Sequence, residues 1–95
     1  MTALDGMQHE TEVTIVNKYG LHARPAAEFV KLANRFTSEV FIRKDDVEVS
    51  GKSIMGVMML AAECGSTVAI RADGDDARDA VGALAELVRN RFGEE

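Results

Sequence analysis

The chain has 95 residues, a net charge of −5, a single cysteine and no tryptophan. This length allows one small domain with a hydrophobic core and leaves no room for a second. No apolar run approaches the roughly 20 residues of a membrane span, and the acidic start lacks the basic region of a signal peptide. The negative charge argues against nucleic-acid binding, so we expect a cytoplasmic protein that binds neither membranes nor nucleic acids.

The negative charge is unevenly spread along the chain. Between Lys18 and Lys52 there are seven basic and five acidic residues, a net charge of +2, which leaves −7 for the rest. A locally basic segment in an acidic protein favours an acidic partner surface or a bound phosphate group.

The cysteine and histidine content limits redox and metal chemistry. Cys64 stands alone, which excludes an internal disulfide, and its small neighbours predict a semi-buried side chain with a packing role. The two histidines, His9 and His22, have no cysteine or carboxylate cluster at ligand spacing. We therefore predict no metal ion and no cofactor.

The first elements follow from hydrophobic periodicity. Residues 1–10 show none, which predicts a flexible lead-in with a solvated His9, followed by a single domain at 11–95. The alternation of Glu12–Asn17 predicts a first strand. Apolar residues at helical spacing then predict a helix from Ala23 to about Phe36.

The second half of the chain continues this alternation of strands and helices. It predicts a hairpin of strands at Glu39–Lys44 and Val47–Val49, a helix from Ser53 to about Leu60, a strand at Thr67–Ala72, and a last helix capped by the turn Asp73–Asp76 and closed by Gly93. The order β-α-β-β-α-β-α fits the α+β class. We expect an open-faced β-sandwich, in which three helices cover one face of a four-stranded antiparallel sheet.

The start of the first helix carries the most informative motif, Gly20-Leu21-His22-Ala23-Arg24-Pro25-Ala26. A helix N-terminus collects unpaired N–H groups and partial positive charge, so it suits an anion, and it favours the neutral imidazole that a nucleophile must be. An arginine two residues on can stabilise a phosphoryl group held there. The alternative is that His22 is a simple N-cap residue and Arg24 a surface charge.

A second motif begins at Ser53, which opens the short helix and is an ordinary helix cap there. Gly51-Lys52-Ser53 resembles the end of a nucleotide-binding P-loop, but that motif needs a glycine where Asp46 stands, so we exclude ATP binding.

The Met-rich helix after Ser53 has too many apolar residues for all of them to face a core. Ile54, Met55 and Met58 are either core residues or an adaptable docking patch, and we expect at least Ile54 or Met55 to be exposed.

The two motifs together resemble the HPr family, the histidine-containing phosphocarriers of the phosphoenolpyruvate-dependent phosphotransferase system. Gly20–Ala26 is similar to the active-site motif of that family, and Lys52–Met58 is similar to its regulatory serine segment. The resemblance extends from about Thr11 to Phe92.

The resemblance implies that enzyme I transfers a phosphoryl group to Nδ1 of His22, that Arg24 stabilises it, and that a IIA-type domain accepts it. Such a protein is a stoichiometric carrier and not an enzyme, and we expect a monomer. The resemblance also implies that HPr kinase/phosphorylase phosphorylates Ser53 and that the seryl-phosphorylated form can bind a transcription regulator. The expected docking residues are Ala23, Ala27, Lys31, Lys52, Ile54, Met55 and Met58.

Two further hypotheses remain open from the sequence. The chain could be mainly a regulatory phosphoprotein, in catabolite control or in the nitrogen-related branch of the same system, although the intact Ser53 segment argues against that branch. It could also be a small ligand-binding α+β module in which the motif occurs by chance.

Overall fold

A computed structural model describes residues 7–94 of the chain. The elements are β1 (Gln8–Thr14), α1 (Ala23–Ala33), β2 (Glu39–Lys44), β3 (Val47–Ser50), α2 (Ile54–Met59), β4 (Thr67–Asp73) and α3 (Ala77–Arg89), with a short 3-10 turn at Arg91–Gly93. This is the order that the hydrophobic periodicity predicts, with the final turn added.

The four strands form one antiparallel sheet in the order β1-β4-β2-β3. The central strand β4 is paired along its whole length with β1, where Val68 lies opposite Val13, and it pairs with β2 through Ile70 and Ile42. These side chains are buried together with Phe29 of α1 and residues of α3 in one hydrophobic core. The fold is the expected open-faced α+β sandwich.

The first strand differs from the prediction at both ends, because it runs from Gln8 to Thr14 instead of over Glu12–Asn17. Its polar first half has no hydrophobic signal, yet its backbone pairs with β4, and His9 lies opposite Ala72. The expected solvated lead-in therefore does not include His9, which is half-buried in the sheet. Residues 1–6 of that lead-in lie outside the described residues.

Helix α1 ends at Ala33, three residues before the predicted Phe36. The side-chain amide of Asn34 donates to the carbonyl of Val30 at 2.9 Å, and the next two residues form tighter turns, with Phe36 N–H donating to Ala33. An asparagine can compete with the helix for backbone hydrogen bonds in this way, so it ends the helix.

The start of α3 is joined to the loop before β2 by one carboxylate. Asp76 stands at the N-cap position but makes no side-chain cap, and the expected capping bond is absent. It instead accepts hydrogen bonds from Thr37 N–H, Ser38 N–H and the Ser38 hydroxyl, at 2.9, 2.9 and 2.5 Å. These bonds, with the Ser38 hydroxyl first, lower the pKa of Asp76 from its ordinary value of 3.8 to about 2.

Candidate functional site

The turn that leads into α1 is fixed by a buried asparagine. Asn17 is fully buried, its backbone carbonyl accepts from Gly20 N–H at 3.2 Å, and its amide donates to the Gly20 carbonyl at 2.8 Å. Leu21 N–H then donates to Ala62 O at 2.8 Å. The turn is therefore bonded to itself and to the loop after α2, which fixes where the next residue lies.

Gly20 is required by this close approach. Its φ is +68°, and a Cβ built on it would lie 2.3 Å from the carbonyl oxygen of Ala62. Only glycine combines the left-handed backbone with the absence of a side chain at such a contact.

His22 occupies the N-cap position of α1 in extended conformation, and its side chain makes no capping hydrogen bond. Its backbone carbonyl accepts the first helical bond, from Ala26 N–H at 3.0 Å. Pro25 has no N–H, so Ala23 and Arg24 carry the N–H groups of the first turn beside the imidazole. The exposed imidazole is therefore held by the backbone at a positive helix end.

One side of the imidazole is occupied by a carboxylate from the other end of the chain. His22 Nε2 lies 3.2 Å from Glu94 Oε2, while the other oxygen of Glu94 accepts from the Asn17 amide at 3.0 Å. Among residues 7–94, none hydrogen-bonds Nδ1 of the same ring. The nitrogen that remains open is Nδ1.

An open cleft of about 650 Å³ surrounds this ring. Tyr19 meets the imidazole edge-on, with ring centroids 6.2 Å apart, and Lys18 Nζ lies 5.2 Å from the Tyr19 ring centroid. The cleft is lined by Lys18, Tyr19, His22, Arg24, Glu28, Phe92, Gly93 and Glu94. Basic and acidic groups thus share one open site, and the predicted partners His22 and Arg24 line it together.

The predicted regulatory serine lies at a second helix start. Ser53 is the N-cap residue of α2, its hydroxyl accepts from Gly56 N–H at 3.1 Å, and its side chain is exposed. The neighbouring Lys52 is half-buried, and its ammonium donates to the carbonyl of Phe36 at 2.7 Å. Lys52 therefore joins the serine segment to the turn that follows α1.

The Met-rich helix presents an apolar surface, as the sequence predicts. Ile54, Met55 and Met58 are 40%, 72% and 42% exposed, whereas Val57 is fully buried. We call Ile54, Met55 and Met58 the apolar patch. Of the other predicted docking residues, Ala23 and Lys31 are exposed, and Ala27 is half-buried.

Three features of this region escape sequence reasoning. Cys64 is exposed and not semi-buried, and it lies in the turn between α2 and β4. Asn17 belongs to the turn after β1 and not to the predicted first strand. Glu94 follows Gly93, which the sequence predicts to close the last helix but which ends a separate 3-10 turn. An aromatic residue next to a glycine, Phe92 and Gly93, is the sequence feature that indicates a turn back to the core after α3.

Residues 7–94 offer neither a metal-binding cluster nor a membrane-spanning helix. That part of the chain holds no group of three His, Cys, Asp or Glu side chains that could bind a metal ion. Within the same residues, no helix is both long enough and apolar enough to span a membrane.

Comparisons with known proteins point to one family. The family model described as the phosphorylation site of the PTS HPr component matches residues 9–90. Phosphocarrier protein HPr of Cupriavidus necator is 51% identical over 85 residues, which cover 90% of this chain and 96% of that protein. The HPr-like protein Crh of Halalkalibacterium halodurans is 51% identical over 79 residues, 83% of this chain and 94% of that protein. The crystal structure of HPr-C-His from Thermoanaerobacter tengcongensis superposes with a TM-score of 0.88 at 47% identity, covering 92% of this chain and 98% of that one.

Proposed function

Because the chain belongs to the HPr family of phosphocarriers in the phosphotransferase system, we propose that His22 carries the phosphoryl group on Nδ1. The protein is a stoichiometric carrier and not a catalytic enzyme. The observation that carries the assignment is that Nε2 of His22 is occupied by Glu94, while Nδ1 has no partner among residues 7–94.

Arg24 and the first turn of α1 supply the positive groups for this step. Phosphoryl transfer needs positioning and charge stabilisation more than covalent help from the carrier. The N–H groups of Ala23 and Arg24 lie at the helix start, and Arg24 lines the same open cleft as His22. We infer that Arg24 contacts the phosphoryl oxygens of phosphohistidine.

The openness of the cleft fits a carrier. A phosphoryl group on His22 remains accessible from solvent, so an enzyme I active site can deliver it and a IIA-type domain can remove it. The apolar patch, with Ala23, Ala27, Lys31 and Lys52, forms the surface that we expect these partners to contact. Methionine side chains adapt their shape, which suits a surface with several partners.

Ser53 is the proposed regulatory site. Its exposed hydroxyl accepts only the local cap bond from Gly56, so HPr kinase/phosphorylase can reach it. A phosphate there gains the N–H groups of the helix start but adds about two negative charges beside the apolar patch. Docking at His22 should weaken, and a transcription regulator that recognises the phosphate would gain a site.

A mainly regulatory role in catabolite control remains the second candidate function, and the Ser53 segment argues against the nitrogen-related branch. The exposed Ser53 at a helix start is the observation that favours it. The monomeric state and the cytoplasmic location expected from the sequence stay predictions.

The chain provides its own control for the histidine assignment, because it contains only two histidines. Purified protein is incubated with enzyme I and phosphoenolpyruvate, and the acid-labile phosphate is measured by mass spectrometry. His22→Ala should gain none, while His9→Ala should gain as much as the wild type. Labelling of His22→Ala, or its loss in His9→Ala, contradicts the assignment.

The serine assignment is tested separately with HPr kinase and ATP. The wild type should gain an acid-stable phosphate and then accept phosphate from enzyme I more slowly. Ser53→Ala should gain none, whereas Ser50→Ala, which removes another exposed hydroxyl nearby, should behave as the wild type. Persistent labelling of Ser53→Ala excludes Ser53 as the target.

A further inference from the structure

We propose that Glu94 is a positioning residue for the phosphoryl-carrying histidine, and that Asn17 holds its carboxylate in place. This inference rests on the proposed role of His22. The turn after α3 and the buried amide of Asn17 thereby help to select which imidazole nitrogen accepts the phosphoryl group.

The turn after α3 places Glu94 beside His22 through an unusual backbone conformation. After α3, Arg91, Phe92 and Gly93 have φ values of 60°, 56° and 78°. Left-handed backbone is unfavourable for residues with a Cβ, so something must hold the first two of these residues there. The Phe92 side chain is buried in the core, which supplies that anchor and turns the chain back toward α1.

Asn17 then fixes the rotation of the Glu94 carboxylate. The amide nitrogen of a glutamine or asparagine has two hydrogens, and those of Asn17 have two acceptors, Gly20 O at 2.8 Å and Glu94 Oε1 at 3.0 Å. Since Asn17 is fully buried and bonded to the turn before His22, its second N–H points at a fixed place. With Oε1 held, Oε2 faces the imidazole at 3.2 Å.

This contact selects a tautomer. A carboxylate oxygen only accepts hydrogen bonds, so Glu94 Oε2 favours the imidazole that carries its proton on Nε2. The lone pair is then on Nδ1, on the open side of the ring. When the phosphohistidine of a donor protein transfers its group, its N–P bond breaks as the Nδ1–P bond forms. The Nε2 proton stays on the ring, and the carboxylate stabilises the positive charge that develops there.

Glu94→Gln is the sharpest test, because a glutamine amide has one oxygen and both Asn17 and Nε2–H are donors. The NH2 group replaces one of the two carboxylate oxygens, so either Asn17 or Nε2–H would face a donor instead of an acceptor, while the size of the side chain is kept. Glu86→Gln makes the same charge change on α3, where the Glu86 side chain bonds Asn90, and serves as the matched control.

Two measurements are made on each variant. The ¹⁵N chemical shifts of the His22 ring report the tautomer in the unphosphorylated protein, and a quenched time course with enzyme I reports the rate of phosphorylation. For Glu94→Gln we expect more of the Nδ1-protonated tautomer and a rate roughly three- to tenfold lower, while Glu86→Gln matches the wild type.

An unchanged tautomer population, or a rate within about twofold of the wild type's, overturns the proposal. Failure of the proposed function is recognised separately, because wild-type protein would then gain no phosphate at His22 at all. The ¹⁵N shifts do not depend on phosphorylation and still report whether Glu94 holds Nε2.

Discussion

Asn17 Nδ2 lies 3.0 Å from Glu94 Oε1, although the two residues are 77 positions apart in the chain. One belongs to the turn after the first strand and the other to the last turn of the described chain. Their contact holds Glu94, which lines the cleft around His22, so the site is built from both ends of the domain. The stability of that turn and the reactivity of the histidine are therefore expected to depend on the same amide.

Asn17→Ala removes both amide hydrogen bonds and leaves the Gly20 carbonyl without its side-chain partner. We expect the free energy of unfolding to fall by about 1–2 kcal/mol, measured by urea denaturation. Phosphorylation of His22 should slow as well. Asn34→Ala, which removes an exposed amide at the end of α1, should change stability by no more than about 0.5 kcal/mol. Equal effects of the two variants would contradict a special role for Asn17.

Three glycines offer a graded test of the backbone argument. In Gly20→Ala the new Cβ would meet Ala62 O at 2.3 Å in left-handed backbone, so we expect a loss of about 3 kcal/mol or more. Gly65→Ala has left-handed backbone but open space, so its cost should be about 1 kcal/mol. Gly82→Ala, on the exposed face of α3 with open space, should stabilise by about 0.5–1 kcal/mol. Thermal or urea unfolding that ranks them otherwise refutes the steric explanation.

The sequence predicts the fold wherever hydrophobic periodicity or a cap signals it. Strand β2 is predicted residue for residue, and Ser53 caps α2 as its residue type indicates. The first half of β1 is missed because its polar side chains show no alternation of apolar and polar residues. Its pairing with β4 is made by the backbone. Hydrophobic periodicity within one segment cannot reveal a strand that forms by pairing with a neighbouring strand.

The candidate site is likewise only partly predictable from the sequence. His22 and Arg24 are two residues apart on one helix start, so a local motif places both. Glu94 reaches the ring only because the buried Phe92 anchors a left-handed turn, and Asn17 reaches Glu94 only after the whole domain has closed. Contacts over such a separation depend on tertiary packing, which residue spacing does not encode.

The hydrogen bonds that Asp76 accepts from Thr37 and Ser38 should make the stability of the protein depend on pH in the acid range. Its pKa is lowered in the folded state, so the ionised form stabilises the protein above the ordinary value of 3.8, and this contribution is lost as the pH falls to about 2. The unfolding temperature of the wild type should exceed that of Asp76→Asn near neutral pH, and the difference should shrink over that window. Asp75→Asn, at the exposed neighbouring carboxylate, should show no such convergence. A constant difference between the wild type and Asp76→Asn would show that Asp76 does not titrate as described.

The apolar patch is tested by placing a charge on its most exposed member. Met55 is 72% exposed, so Met55→Glu should leave the free energy of unfolding within about 0.5 kcal/mol of the wild type's. Desolvating a carboxylate against an apolar partner surface is unfavourable, so the dissociation constant for enzyme I should rise about tenfold or more, measured by calorimetry. Val47→Glu makes the same change at a 51% exposed valine on β3 and should bind normally. If both variants bind enzyme I equally well, the partner contacts a surface other than the apolar patch.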